Sequence, residues 1–162
     1  MANSEDVHWL VVEEGDYDSS DIKMEAFSYT STVTDENNSW VGESQSYSQS
    51  YTKPVVFGQV MTYNDSNWST FFAKGSAQAD IPDSTYLITG KHVGEDTVTT
   101  RSNETIGVVV FEAGSGTLGT DDFIVDVGAS TIDRIDDSTS NTYTLDPTFS
   151  STPVVAILSQ AG

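Results

Sequence analysis

Short apolar or β-branched runs alternate along the chain with clusters of Gly, Asn, Asp and Ser. The three-and-four apolar spacing of an amphipathic helix is missing. Residues 7–14 (VHWLVVEE) are β-branched and aromatic and end at Gly15, which predicts a strand. In residues 22–30, Ile22, Met24, Ala26 and Ser28 alternate with Lys23, Glu25 and Phe27, close to the period of two of a half-buried strand. Pro54 opens a predicted strand over 55–63, where a missing amide donor is tolerated. Residues 68–73 and 86–90 are short strand candidates, and 106–112 is continuously apolar, as a central strand is. Strands at 123–127, 142–145 and 154–158 complete the set, with the longest loops at 16–21, 34–39 and 94–103. Many short strands with this punctuation predict an all-β fold, an antiparallel β-sandwich.

The sequence also matches itself. Val11-Val12-Glu13-Glu14-Gly15 recurs as Val110-Phe111-Glu112-Ala113-Gly114, and Lys53-Pro54-Val55-Val56 as Thr152-Pro153-Val154-Val155, both at an offset of 99 residues. Between them, 22–30 (IKMEAFSYT) matches 123–131 (FIVDVGAST) with two residues inserted. Read as a tandem array, 1–36 is the tail of one unit, 40–116 a complete unit and 120–162 the start of a third. Read as one larger sandwich, 5–63 pairs with 104–162 by internal two-fold pseudo-symmetry.

Composition narrows the function. The chain has 162 residues and carries 25 acidic against 6 basic side chains, a net charge of −19. A phosphate backbone needs a basic stripe, so nucleic acid is excluded as a partner, and docking on an anionic membrane is disfavoured too. No apolar run approaches the roughly 18 residues of a membrane span, so no membrane insertion is expected. Cysteine is absent, which removes disulfides, thiolate metal sites and cysteine nucleophiles. Seventeen aromatics (7 Phe, 7 Tyr, 3 Trp) argue for a folded core rather than a disordered acidic chain. About a quarter of the positions are Ser or Thr, and with few Lys this predicts a secreted or cell-surface protein. The charge fits a saline habitat, where salt screens self-repulsion. Four Asn-x-Ser/Thr sequons stand at Asn37, Asn64, Asn67 and Asn103, a number that chance supplies in so Ser/Thr-rich a chain. Met1 to Asp6 lacks the positive and apolar stretches of a secretion leader, so the start reads as a cut boundary rather than a natural N-terminus.

Three stretches together, KPVVFGQVMTYNDSNWSTFFAKG (53–75), GKHVGEDTVTTRSNETIG (90–107) and VVVFEAG (108–114), resemble the H-type lectin domain. The resemblance is closer still to H-type-lectin-like modules repeated in large secreted bacterial proteins, in which an aromatic precedes the first strand, as Trp40 does here. It covers about half of the chain. It implies a six-stranded antiparallel sandwich, trimeric or hexameric in true H-type lectins, with sugar bound at loops. Asp65 would match the family's loop acid, and Trp68 and His92 its polar or aromatic residues on the following strands. The family's arginine on the second strand has no counterpart in WSTFFAKG, which departs from simple N-acetylgalactosamine specificity.

Two loops carry the candidate chemistry. Sugars are recognised by an aromatic face with carboxylates and amides on the hydroxyls. Tyr63, Asn64, Asp65 and Trp68 offer these groups within six residues; the alternative is a core Trp68 beside an ordinary Asn-Asp turn. His92, Glu95, Asp96 and Arg101 form a second polar group, and Glu95 with Asp96 is a weak candidate for Ca²⁺. The competing picture there is a solvated hairpin with Arg101 paired to Glu95 or Glu104. Asp16, Asp18, Asp21 and the Asp121-Asp122 pair are a further set of acidic loops that either bind Ca²⁺ or are plain solvated turns. Enzymatic chemistry is not expected. His8 has Gly107 as its counterpart in the repeat, and Gly114-Ser115-Gly116-Thr117-Leu118-Gly119 copies a dinucleotide motif by letters but precedes a strand. The leading expectation is an extracellular carbohydrate-binding, lectin-like module whose partners are glycans met through loops 63–68 and 91–101. The alternative is a structural or adhesive spacer whose partners are neighbouring repeat units or copies of itself.

Overall fold

The computed structural model describes residues 10–118, 120–128, 149 and 156–159. Ten strands run in chain order: β1 (Gly15–Asp18), β2 (Lys23–Ser31), β3 (Thr34–Asp35), β4 (Glu43–Gln45), β5 (Pro54–Val60), β6 (Thr70–Lys74), β7 (Leu87–His92), β8 (Glu104–Glu112), β9 (Gly114–Leu118) and β10 (Asp121–Val125). No helix occurs among the described residues. The first sheet is antiparallel with order β1-β2-β8-β5, and the apolar run at 106–112 is its central strand, as its pattern predicts. The second sheet is built on β7. Antiparallel β6 lines one edge of β7, and β4 and β3 share the other, β4 antiparallel against Leu87–Thr89 and β3 parallel against Lys91 and His92. β9 and β10 form a separate two-stranded ladder.

The two sheets face each other across an apolar centre. Val56, Ile106, Val108 and Val110 of the first sheet meet Phe71, Ala73 and Leu87 of the second, with Tyr51 closing the cluster. The strand period of two selects these residues: Ile106, Val108 and Val110 alternate inward along β8, and Phe71 and Ala73 along β6. Gly58 permits the closest approach, since a Cβ there would sit 2.4 Å from the Phe71 ring. Toward the ends the interior turns polar. Tyr29 Oη and Thr89 Oγ1 share a 2.8 Å hydrogen bond between the sheets, and burial raises the Tyr29 hydroxyl to about 12. Lys91, fully buried, donates from Nζ to the Ser31 carbonyl at 3.0 Å.

Several expectations need correction. Residues 10–14 form no strand, and Leu10 and Val11 are exposed; residues 7–9 lie outside the described part. The loop expected at 16–21 is instead the edge strand β1 and a tight turn. Ser19 closes that turn, its N–H donating to the Ile22 carbonyl at 2.9 Å and its Oγ accepting the Ile22 N–H. Charged residues at 16 and 18 suggested a loop, but Asp18 faces Lys23 across the ladder, and charges on an edge strand also discourage edge-to-edge pairing. The internal repeat is not confirmed among the described residues, which exclude 129–148 and 150–155. Val110 is fully buried in a central strand whereas its sequence match Val11 is 75% exposed. Likewise β2 lies inside the first sheet, while β10 belongs to the two-stranded ladder. Short Val-x-Glu-x-Gly strings are common in strand-rich sequences and do not impose a common environment. Strands from 15–35 and from 43–112 share both sheets. The strands predicted at 142–145 and for the first part of 154–158 lie outside the described residues, and 156–159 is not strand.

Filling the close approach tests the packing. Gly58→Ala should cost about 1–3 kcal/mol, because the Phe71 ring must leave its position in the core. Urea denaturation reads this directly, and an unchanged midpoint would contradict the described contact.

Candidate functional site

β3 and β4 lie on one edge of β7 but run in opposite directions, so the chain between them must reverse. The reversal uses Asn38 at φ 70° and Trp40 at φ 57°, both in the left-handed region that non-glycine residues avoid. Asp35, 1% exposed, holds it in place. Its Oδ1 accepts the Ser39 hydroxyl at 2.6 Å and the Val41 N–H at 2.8 Å. Ser39 Oγ also accepts the Glu36 N–H. A strained tryptophan persists only where its surroundings over-determine it, and such strain gathers at functional places.

The turn projects Trp40 over the outer face of the second sheet. Thr70, Phe72 and Lys74 share that face of β6, and His92 shares it from β7. With Trp40 and the rim residues Asn37, Gln78 and Glu95 they enclose an open cleft of about 200 Å³. That is smaller than the roughly 300–1,000 Å³ of drug-sized sites and suits a single ring. Phe72 forms part of the lining, edge-on to His92 with centroids 6.3 Å apart. Gly90 leaves room for the Phe72 ring, which a Cβ would meet at 2.8 Å. The His92 ring is oriented from both sides. Nδ1 accepts the Gly94 N–H at 2.7 Å, which leaves the ring proton on Nε2, 3.6 Å from Asp35 Oδ2. Gly94 has φ 63°, and the Trp68 ring lies against it, 3.4 Å from where a Cβ would be.

The eight residues singled out in the sequence divide into three groups. His92 and Glu95 line the cleft, and Trp68, 61% exposed, borders it through Gly94. Tyr63, Asn64 and Asp65 are not among the lining residues; they form a neighbouring turn built around Glu104, which is 3% exposed. Glu104 accepts the Asn64 N–H at 2.9 Å, the Asp65 N–H at 2.9 Å and the Thr62 hydroxyl at 2.5 Å. Burial pushes the Glu104 carboxyl up, but these hydrogen bonds and the Lys91 charge outweigh it and hold it below the usual range. Asp65 is also lowered, by the backbone N–H groups of Asn67 and Ser102. Tyr63 is 77% exposed, with its hydroxyl donating to the Ser66 carbonyl.

Arg101 is no surface hairpin partner of Glu95 or Glu104. Its guanidinium is fully buried and clips two loops together. Nε donates to the Trp68 carbonyl at 3.0 Å, Nη1 to the Val98 and Thr100 carbonyls at 2.6 and 3.0 Å, and Nη2 to Asp96 Oδ2 at 2.9 Å. Asp96 is spent on this contact and on the Val98 N–H, which together lower its carboxyl. No group of three His, Cys, Asp or Glu side chains converges among the described residues, so the Ca²⁺ expectation at Glu95 and Asp96 rests on backbone carbonyls for its other oxygens. Sequence reasoning missed Asp35, Phe72, Lys74 and Gln78 as neighbours of His92. The i, i+2 spacing of Phe72 and Lys74 was legible, but the fold over them was not.

No family model matches this chain, and no curated protein or solved structure matches it either.

Arg101→Lys tests the clip. An ammonium cannot span four acceptors held in a planar fork, so at least two carbonyls lose their donor. The expected loss is about 2–3 kcal/mol by chemical denaturation. A change within a few tenths would mean that the guanidinium network is not formed.

Proposed function

We propose that the protein is a carbohydrate-binding module and that its site is the cleft beneath Trp40. The observation that carries this reading is a tryptophan kept in a strained backbone conformation at an open cleft with a mixed aromatic and polar lining. A sugar ring needs an apolar face to stack on and fixed donors and acceptors for its hydroxyls. Trp40 and Phe72 supply the first, and Asn37, Gln78, His92 and Glu95 the second. The exposed Trp68 borders it through Gly94 and extends the apolar surface for a longer glycan. The resemblance to H-type lectins supports the same function, with the site moved from the 63–68 turn to the 35–40 reversal and the β6–β7 face. Secretion or cell-surface display accompanies this reading.

Trp40→Gly separates binding from folding. Glycine relieves the left-handed strain, worth about 1–2 kcal/mol, and this offsets the lost side-chain packing. Glycan-array binding should vanish while the melting temperature stays within a few degrees. Wild-type protein that binds no glycan on the array, or a Trp40→Gly variant that binds as well, would refute the reading.

One observation favours the spacer role as a second reading. The outer face of the first sheet carries Met24, Phe57, Val109 and Phe111, all half-buried, with Phe57 and Phe111 packed edge to face at 6.0 Å. A neighbouring unit or a second copy would cover such a face. In that case sedimentation shows concentration-dependent association that Phe57→Glu abolishes; a monomer at all concentrations excludes self-association through this face.

A further inference from the structure

One charged group in the cleft has no hydrogen-bond or ion-pair partner among the described residues. Lys74 closes β6 on the same face as Thr70 and Phe72, is 7% exposed, and lines the cleft. The other described basic side chains are all engaged. Lys23 donates to the Ser50 carbonyl, Lys53 pairs with Asp126, Lys91 donates to Ser31, and Arg101 holds its four acceptors. Among the described residues, no hydrogen bond or ion pair ends on Lys74 Nζ. The aliphatic stem of Lys74 is buried while its ammonium is not among the buried unpartnered atoms, so the charge at the cleft stands open to an incoming acceptor.

We propose that the cleft selects a sugar unit bearing an anionic substituent, a uronate carboxylate or a sulfate ester, with Lys74 as its counter-charge and Trp40 stacked on the ring. This rests on the carbohydrate-binding reading above and names its ligand class. The net charge of −19 does not forbid it. At physiological ionic strength charges more than about 8 Å away are largely screened, so the groups at the cleft decide. Of the two carboxylates there, Asp35 is committed to Ser39, Val41 and His92. Glu95 stands exposed on the rim and opposes an anion. The two charges therefore act with opposite signs: Lys74 attracts this ligand class and Glu95 weakens it.

The test is calorimetric titration at 0.15 M salt with three probes: oligogalacturonate, chondroitin sulfate oligosaccharide and neutral cellohexaose. Wild type should prefer at least one anionic probe over cellohexaose, and the probe preferred tells carboxylate from sulfate. Lys74→Gln should weaken that probe by roughly 10-fold or more, the worth of one charge-assisted hydrogen bond. Lys74→Arg should retain binding, and Glu95→Gln should tighten it several-fold. The last two variants keep the question answerable if Lys74→Gln fails to fold. Equal or tighter binding of cellohexaose, or anionic affinities unmoved by both Lys74→Gln and Glu95→Gln, overturns the charge selectivity. If Trp40→Gly still abolishes cellohexaose binding in that case, the carbohydrate reading survives alone. Wild-type protein that binds none of the three probes overturns the anionic class, and the array result above decides the broader reading.

Discussion

The structure depends on buried or half-buried carboxylates that accept backbone N–H groups from the loops. Glu25 takes Ser48 and Gln49, Asp35 takes Val41, Asp65 takes Asn67 and Ser102, Glu104 takes Asn64 and Asp65, and Glu112 takes Thr52 and Lys53. Each such bond is charge-assisted, and a carboxylate can accept several at once. A chain without cysteine has no disulfides with which to brace its turns. It uses its abundant acids instead, so the acidity that looks like surface solubility is partly an internal scaffold.

Burying these anions would be costly unless cations and dipoles answered them. Lys91 sits between the sheets near Glu43, Glu104 and Asp65. Burial lowers its ammonium from the ordinary lysine range, and those three carboxylates counter part of that shift. Arg101 does the equivalent at the next loop, where three backbone carbonyls and Asp96 absorb its donors. The apolar centre is accordingly short, confined to the middle of the sandwich, and both ends of the interior are hydrogen-bonded. This division explains how a chain with only 36% hydrophobic residues sustains a two-sheet fold.

The same device shapes the candidate site. Asp35 fixes the reversal between two strands on one edge of β7, which carries Trp40 over the sheet, and its second oxygen faces the ring proton of His92. One buried carboxylate thus positions an aromatic platform and a polar side chain of the cleft. Lys74 meets no such partner, which sets it apart from the other described bases. The cleft is braced on one side by the hydrogen bonds of Asp35 and open where Lys74 and Glu95 stand.

Local pattern alone determined that the protein is strand-built, that 106–112 is a central strand, and that Pro54 begins one, because alternation and proline chemistry act over a few residues. His92 and Trp68 were also legible as neighbours, since each flanks a strand end beside a polar loop. Only the tertiary structure decided that residues 10–14 stay outside the sheet while Val110 lies at its centre, although 11–15 and 110–114 share Val-x-Glu-x-Gly. It alone decided that Arg101 is interior and that Trp40, Phe72 and Lys74 meet across some thirty residues of chain. The reason is physical: a strand's face is set by its own period, but which loop covers that face depends on edge pairing and on distant carboxylates capturing backbone donors. Neither leaves a local trace in the order of the residues.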